Sequence, residues 1–314
     1  MIAVVLLLGY AAVLCAVGMW WLPRASWPMY MPRLGIAVWQ ALTVTVIASG
    51  VLAGLALAVP ALPASVLPAG LLRTCLPTMP GGYIAYGGAV AYAAGAVLTL
   101  AMPGRLVWST MMALASAWRR RSSHDDALSL VARRGPAPGV LLLEDDTPMA
   151  YCVPGRRRIV VTTGAVRCLD GPQLEAVLAH ERAHLSGRHH LVLALATAMQ
   201  RSFPRIRLFS EAATQIACLV EMAADDAATR RSHRLTLASA LLALAAARTP
   251  AGTLSAASTA AARRVRRLIE QLPPPRTKLA AISAVVAVAL PILLFSAPAI
   301  ALAVMAHCLA HLPA

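Results

Sequence analysis

His180-Glu181-Arg182-Ala183-His184 places two imidazoles one helical turn apart with a carboxylate between them. On a helix, residues i and i+4 share a face, so both His can reach one cation while Glu181 stands beside it to take a proton from water. A single His on an apolar face usually reads as a packed core residue. A spaced pair enclosing a glutamate, in a chain with only 8 His, reads instead as a metal site for hydrolysis. Zinc in such a role needs a third protein ligand and an open position. Glu221, in the Ala-rich stretch Leu219-Val220-Glu221-Met222-Ala223-Ala224-Asp225-Asp226, is the expected ligand. Asp225, one turn later on the same face, can accept the outer N–H of a ligand imidazole and fix its tautomer. The alternative for Glu221 and Asp225 is a capped or solvated acidic helix end. The pattern predicts one Zn2+ per chain, held by His180, His184 and Glu221, with Glu181 as general base.

The elements that must position these groups follow from local patterning. Leu174, Val177, Leu178 and Leu185 recur at helical spacing around the two His, and Asp170-Gly171-Pro172 supplies an N-cap candidate two residues before a proline. His189 and His190 follow His184 by five and six residues, which on a continuing helix rotates both off the ligand face, so neither is expected to ligate. Short strands are expected over 140–144, 150–153 and 157–163, with Gly155 and the arginines after it turning the chain between the last two. A tetrahedral oxyanion needs a further donor. His233 and Tyr151 are candidates, each with a solvated or packing role as its alternative.

Composition places these elements beside a bilayer. Hydrophobic residues make up 59% and charged residues 13% of the chain, far from the quarter charged of a soluble domain. Four stretches are long and apolar enough to span: 1–22, 35–59, 83–102 and 279–306. The domain organisation expected is a three-span bundle over 1–104, a soluble domain over 105–278, and a fourth span with a short tail over 279–314. Arg24 and Arg33 flank the first loop, while Arg105, Arg119, Arg120, Arg121, Arg133 and Arg134 follow the third span. The positive-inside rule then predicts a cell-membrane protein with the 103–278 region in the cytoplasm and both termini outside. The net charge of +15 raises nucleic-acid binding as a class. Its arginine clusters, including Arg263-Arg264-Val265-Arg266-Arg267, read instead as juxtamembrane or helix-surface charge against anionic lipid, so no direct nucleic-acid partner is expected. The six cysteines show no metal-binding spacing and read as small apolar packing residues. Pro60 to Gly82 is a proline-rich loop, and Pro273-Pro274-Pro275 separates the soluble domain from the last span.

The run Arg158 to Val166, followed by Leu174 to Glu181, resembles the strand-turn-helix entry of the gluzincin metallopeptidases, and Glu221-x-x-x-Asp225 is similar to their third-ligand segment. Within that group, three spans, a catalytic domain and one further span resemble the BlaR/MecR type of membrane peptidase. The resemblance implies a mainly α membrane protein with an α+β zincin-like domain between spans three and four. It also implies an edge strand that holds an extended substrate by backbone hydrogen bonds, with Met149-Ala150-Tyr151 matching the segment placed there. An interior strand is the alternative. Sensor members carry a penicillin-binding domain with a Ser three residues before a Lys. Here the sequence given ends at Ala314 and its one lysine is Lys278, so a short form lacking the sensor is expected. Three functions follow: an antirepressor in signal transduction that cleaves a cytoplasmic DNA-binding repressor of the BlaI type, a quality-control membrane protease of the HtpX-like type, or a non-catalytic membrane sensor or scaffold. The HtpX-like type places two spans before its catalytic domain and two after or within it, which favours the first function on span count.

Overall fold

In a computed structural model of the chain, residues 2–58, 87–135, 137–248 and 256–270 are described. The expected span over 279–306, the whole proline-rich 60–82 loop and the Pro273–Pro275 linker lie outside them. The fold is mainly helical with one small mixed sheet. α1 (Ile2–Trp20), the short α2 (Trp27–Tyr30), α3 (Pro32–Ala58) and α4 (Gly87–Val131) form the N-terminal bundle. Three stretches there are long and apolar enough to cross a membrane: Val4–Arg24, Pro32–Leu55 and Tyr92–Ser116.

These helices turn apolar side chains outward where a soluble bundle would not. Val5, Leu6 and Val13 on α1, and Val97, Leu100 and Trp108 on α4, are exposed, which suits a lipid-facing surface. α3 runs between its neighbours and buries Trp39, Leu42 and Thr43. Thr43 Oγ1 donates back to the carbonyl of Trp39 at 3.0 Å, so its hydroxyl is satisfied inside the helix. Gly54 lets α3 and α4 approach closely: a Cβ there would stand 2.8 Å from Leu98 Cβ and 2.9 Å from the Gly95 carbonyl.

The third helix does not stop where its apolar stretch was expected to end. α4 passes through Pro103 and runs on to Val131, so the expected boundary between 104 and 105 falls inside a continuous helix. Proline removes one N–H from the ladder and normally marks an end. Here the helix carries on through it.

Beyond α4 come β1 (Arg133–Arg134), β2 (Val140–Leu143), β3 (Ala150–Val153) and β4 (Arg158–Thr162), in sheet order β1-β2-β4-β3. β2 is parallel to β4, and β3 is antiparallel to it, with Ala150 opposite Val161 and Cys152 opposite Ile159. The turn between β3 and β4 places Arg157 at φ 51. β3 is thus an edge strand, as the substrate-binding expectation requires and the interior alternative does not. Helices α5 (Thr163–Cys168), α6 (Gly171–Ser186), α7 (His189–Ser202), α8 (Arg207–Ala228), α9 (Arg234–Arg248) and α10 (Ala256–Ile269) complete the described chain.

α6 begins as its sequence predicts. Asp170 caps it, accepting from the Gln173 N–H at 2.7 Å, while the Gln173 side chain accepts from the Asp170 N–H at 3.1 Å. Val177 and Leu178 then pack with Ile159 and Val161 of the sheet, so β4 and α6 share one core. A second, larger core joins α7 and α8 to the bundle: Leu208, Phe209, Ile216 and Leu219 lie with Leu14, Ile36, Trp39 and Leu42.

Candidate metal centre

α6 and α8 cross so that one face of each meets the other. His180 Nε2 and His184 Nε2 are 3.1 Å apart, and the two carboxylate oxygens of Glu221 stand 3.5 Å from one and 3.5 Å from the other. One ligand atom from each residue lies within 4.8 Å of the rest. Nitrogen ligands about 2.0–2.1 Å from a tetrahedral zinc are roughly 3.3–3.4 Å apart. The three residues therefore fit such an ion with small adjustments, and the donor set of two imidazoles and a carboxylate suits zinc.

Asp225, fully buried, stands behind His180, with Oδ1 3.0 Å from Nδ1. Nε2, on the opposite side of the ring, faces Glu221 and His184. Burial alone would push the His180 imidazole down. Hydrogen bonds to Asp225 and Glu221 outweigh that and push it up to about 9. Among the described residues no carboxylate meets the outer nitrogen of His184, and burial pushes its imidazole down to about 4 against the opposing pull of Glu221. Asp225 is held down at about 2: burial works against its charge, and hydrogen bonds from Arg264 and His180 overcome it.

Glu181 points from the same turn of α6 toward β3, where the Cys152 backbone and thiol meet its carboxylate. Burial, partly offset by His180 and reinforced by Glu221, pushes it up to about 7. A carboxylate poised there can take a proton near neutral pH and give it back. The Cys152 thiol is pushed up to about 12 by burial and by the neighbouring Glu181 charge, so it stays protonated. Cys152 was read from sequence as simple packing. Strand alternation gives it more: Ala150 and Cys152 pack on the α6 side of the sheet, whereas Tyr151 packs on the other face with Leu128, Val153 and Val160.

That alternation places Tyr151 on the face of the sheet opposite Ala150 and Cys152. His233 is exposed at the start of α9, where its Nδ1 accepts from the Leu235 N–H at 3.3 Å, which is a capping contact.

Two residues at the centre were not found by sequence reasoning. Arg264, read there as surface charge, turns inward from α10. Its Nε and Nη2 donate to the two oxygens of Asp225 at 2.9 and 2.7 Å, and Nη1 reaches Glu221 at 2.9 Å. Its helix divides its arginines by face, since Arg263 and Arg266 are exposed while Arg264 and Arg267 are largely covered. The signal available was the acidic pair Asp225 and Asp226 in an apolar helix, where a covered carboxylate such as Asp225 requires a cationic partner. The second is His189, whose Nδ1 lies 3.1 Å from Nδ1 of His184.

Comparison with known proteins agrees with this geometry. Residues 113–262, which contain Cys152, His180, Glu181, His184, His189, Glu221 and Asp225 and stop just short of Arg264, match the family model of Peptidase family M48. A stretch covering 37% of the chain is 31% identical to a "Protease HtpX homolog" of Aquifex aeolicus, of which it covers 44%. Another covering 29% of the chain is 31% identical to "Protease HtpX homolog 2" of Methanosarcina acetivorans and covers 33% of it. A third, 34% identical over 20% of the chain, matches 23% of a "Protease HtpX homolog" of Thermococcus sibiricus. The chain thus spans less than half the length of these relatives. No solved structure matches it. These relatives correct the order of the functional expectations: they favour the HtpX-like type over the BlaR/MecR antirepressor and lend no support to a repressor partner. The stretch 113–262 is thus similar to Peptidase family M48, and the described residues include three helices long and apolar enough to span a bilayer.

Proposed function

We propose that this chain is an integral-membrane zinc protease of the HtpX-like kind that hydrolyses peptide bonds in protein substrates. The observation that carries the reading is the convergence of His180, His184 and Glu221 on one point, with Glu181 on the adjacent position of α6. In this reading His180, His184 and Glu221 hold the ion. When bound, zinc supplies Lewis acidity to a scissile carbonyl and acidifies water. Glu181 takes the proton of the attacking water and delivers it to the leaving amine, a role suited to a carboxyl whose burial brings it to about 7. Asp225 orients His180, and Arg264 holds Asp225 charged and Glu221 in place.

β3 supplies the substrate platform. In an antiparallel ladder the backbone groups of alternate residues point toward the partner strand. The Thr162 N–H donates to the Met149 carbonyl at 3.0 Å, so the Ala150 backbone faces the free edge. An extended peptide added there would lie beside Glu181. The arginines after the apolar part of α4, Arg119, Arg133 and Arg134 among them, support a cytoplasmic location for the catalytic region with both termini outside.

The test is a reconstituted sample of the full chain incubated with an unfolded protein such as casein. Wild type should carry one zinc and cleave, and Glu181→Gln should keep the zinc and fail to cleave. Equal cleavage by both would remove Glu181 from the mechanism and with it this function.

A further inference from the structure

We infer that His189 is a positioning residue: it accepts a hydrogen bond from the Nδ1–H of His184 and so presents that imidazole's Nε2 to the cation. The inference rests on the metal-binding reading above and adds to it the group that holds the second imidazole. His184 directs Nε2 inward, 3.1 Å from His180 Nε2 and 3.5 Å from Glu221. Its other nitrogen, Nδ1, faces outward and lies 3.1 Å from His189 Nδ1, with the two rings edge to face at 4.9 Å between centroids. One of two facing ring nitrogens must donate and the other accept. A neutral His184 that offers its Nε2 lone pair to a metal carries its proton on Nδ1, so it donates. His189 accepts through Nδ1 and carries its own proton on Nε2. The two imidazole ligands therefore have different outer partners, a carboxylate behind His180 and a neutral imidazole behind His184.

The backbone is shaped to deliver that ring. Had α6 continued, a residue five positions after His184 would have turned away from it. Instead α6 ends at Ser186, Gly187 closes it, and Arg188 takes the left-handed conformation at φ 49, ψ 37 before α7 begins at His189. The turn brings His189 back over His184, where it is 9% exposed. Gly187 makes the space: a Cβ at 187 would stand 2.4 Å from His189 Nε2 and 2.7 Å from its Cδ2. The backbone of Gly187, at φ −76 and ψ −4, would accept any L-residue. What requires glycine here is the ring of His189.

The experiment measures zinc affinity of the full chain in detergent by competition with a chelator, with thermal unfolding of each metal-free variant as a check on folding. His189→Phe keeps a ring and removes the acceptor, and should weaken zinc binding by about 10- to 100-fold. His189→Gln, which restores an acceptor oxygen, should recover most of that loss. Gly187→Ala leaves residue 189 unchanged but displaces its ring, and should weaken binding in the same direction without lowering metal-free stability. Wild-type affinity in folded His189→Phe, or equal weakness of the Phe and Gln variants, would overturn the positioning role and leave the metal site standing. Should wild type itself bind no more zinc than His180→Ala, the metal reading falls and this inference with it.

Discussion

Replacing Arg264 by Met is the perturbation that separates the proposed architecture from a mere cluster of polar residues. Asp225 is fully buried and receives two hydrogen bonds from this guanidinium, at 2.7 and 2.9 Å. Burial works against its charge, and hydrogen bonds from Arg264 and His180 nevertheless hold its carboxyl down at about 2. Removing one partner of a buried pair costs about 3–5 kcal/mol, because the remaining charge is stranded. Arg264→Met should therefore destabilise the protein by about 3 kcal/mol. Asp225→Asn in the same background should restore about 2 kcal/mol, since position 225 then has no charge to strand and only Glu221 still lacks the guanidinium. The assay is denaturant unfolding in detergent, with zinc removed so that ligand loss does not enter. The sign of the pH dependence follows. Asp225 has a folded pKa below its unfolded value of about 3.9, so its stabilisation is present above about pH 4 and lost as pH falls toward 2. The gap between wild type and Arg264→Met should narrow over that window. A variant within about 0.5 kcal/mol of wild type, or effects that simply add in the double mutant, would refute the buried-pair account.

His180→Ala and Glu221→Ala should each lower zinc content sharply, measured by elemental analysis of purified protein, whereas unchanged zinc in Glu221→Ala would move the third ligand elsewhere. Glu181→Gln should cost on the order of a hundredfold or more in peptide hydrolysis. With Glu181 near 7, wild-type kcat/KM should rise with pH up to about that value, because only the ionised carboxyl can accept a proton; a flat profile from pH 5 to 8 would speak against it. Ala150→Pro removes an N–H directed to the free edge of β3 and should raise KM for protein substrates while leaving zinc binding intact, and an unchanged KM would place the substrate elsewhere.

Much of the centre was legible because its information is local. The His180 and His184 spacing, the Asp170 cap and the Glu221-to-Asp225 interval each need only one helix to be read, and strands β2, β3 and β4 fall within a residue of their expected ends. What sequence missed depends on where separate segments meet. Arg264 pairs with Asp225 across 39 positions, and one arginine among Arg263, Arg264, Arg266 and Arg267 looks like another until the packed face of α10 is known. His189 was excluded by extending a helix that in fact ends at Ser186, and the left-handed Arg188 carries no strong residue signal. Tyr151 and Cys152 exchange importance for a similar reason: period two says that they face opposite sides, but not which side α6 covers.

α8 explains why the candidate metal centre and the N-terminal bundle form one physical unit. Glu221 and Asp225 occupy one face of this helix, and Leu208, Phe209, Ile216 and Leu219 on the rest of it pack against α1 and α3. α10 fastens the same joint from outside. Arg264 grips Asp225, and one turn later Arg267 reaches Asp226 at 2.6 Å and the Met29 carbonyl of α2 at 2.6 Å. Burying each of those four large side chains is worth about 1.5–3 kcal/mol, or about 6–12 kcal/mol together, which is comparable to the whole stability of an ordinary domain at about 5–15 kcal/mol. A fragment beginning at Arg105 would expose that face and lose the α2 contact. It should therefore aggregate or fail to bind zinc when expressed alone, and recover both properties when residues 1–104 are supplied. A soluble 105–278 fragment that binds zinc as tightly as the full chain would show that the metal centre owes nothing to the spans.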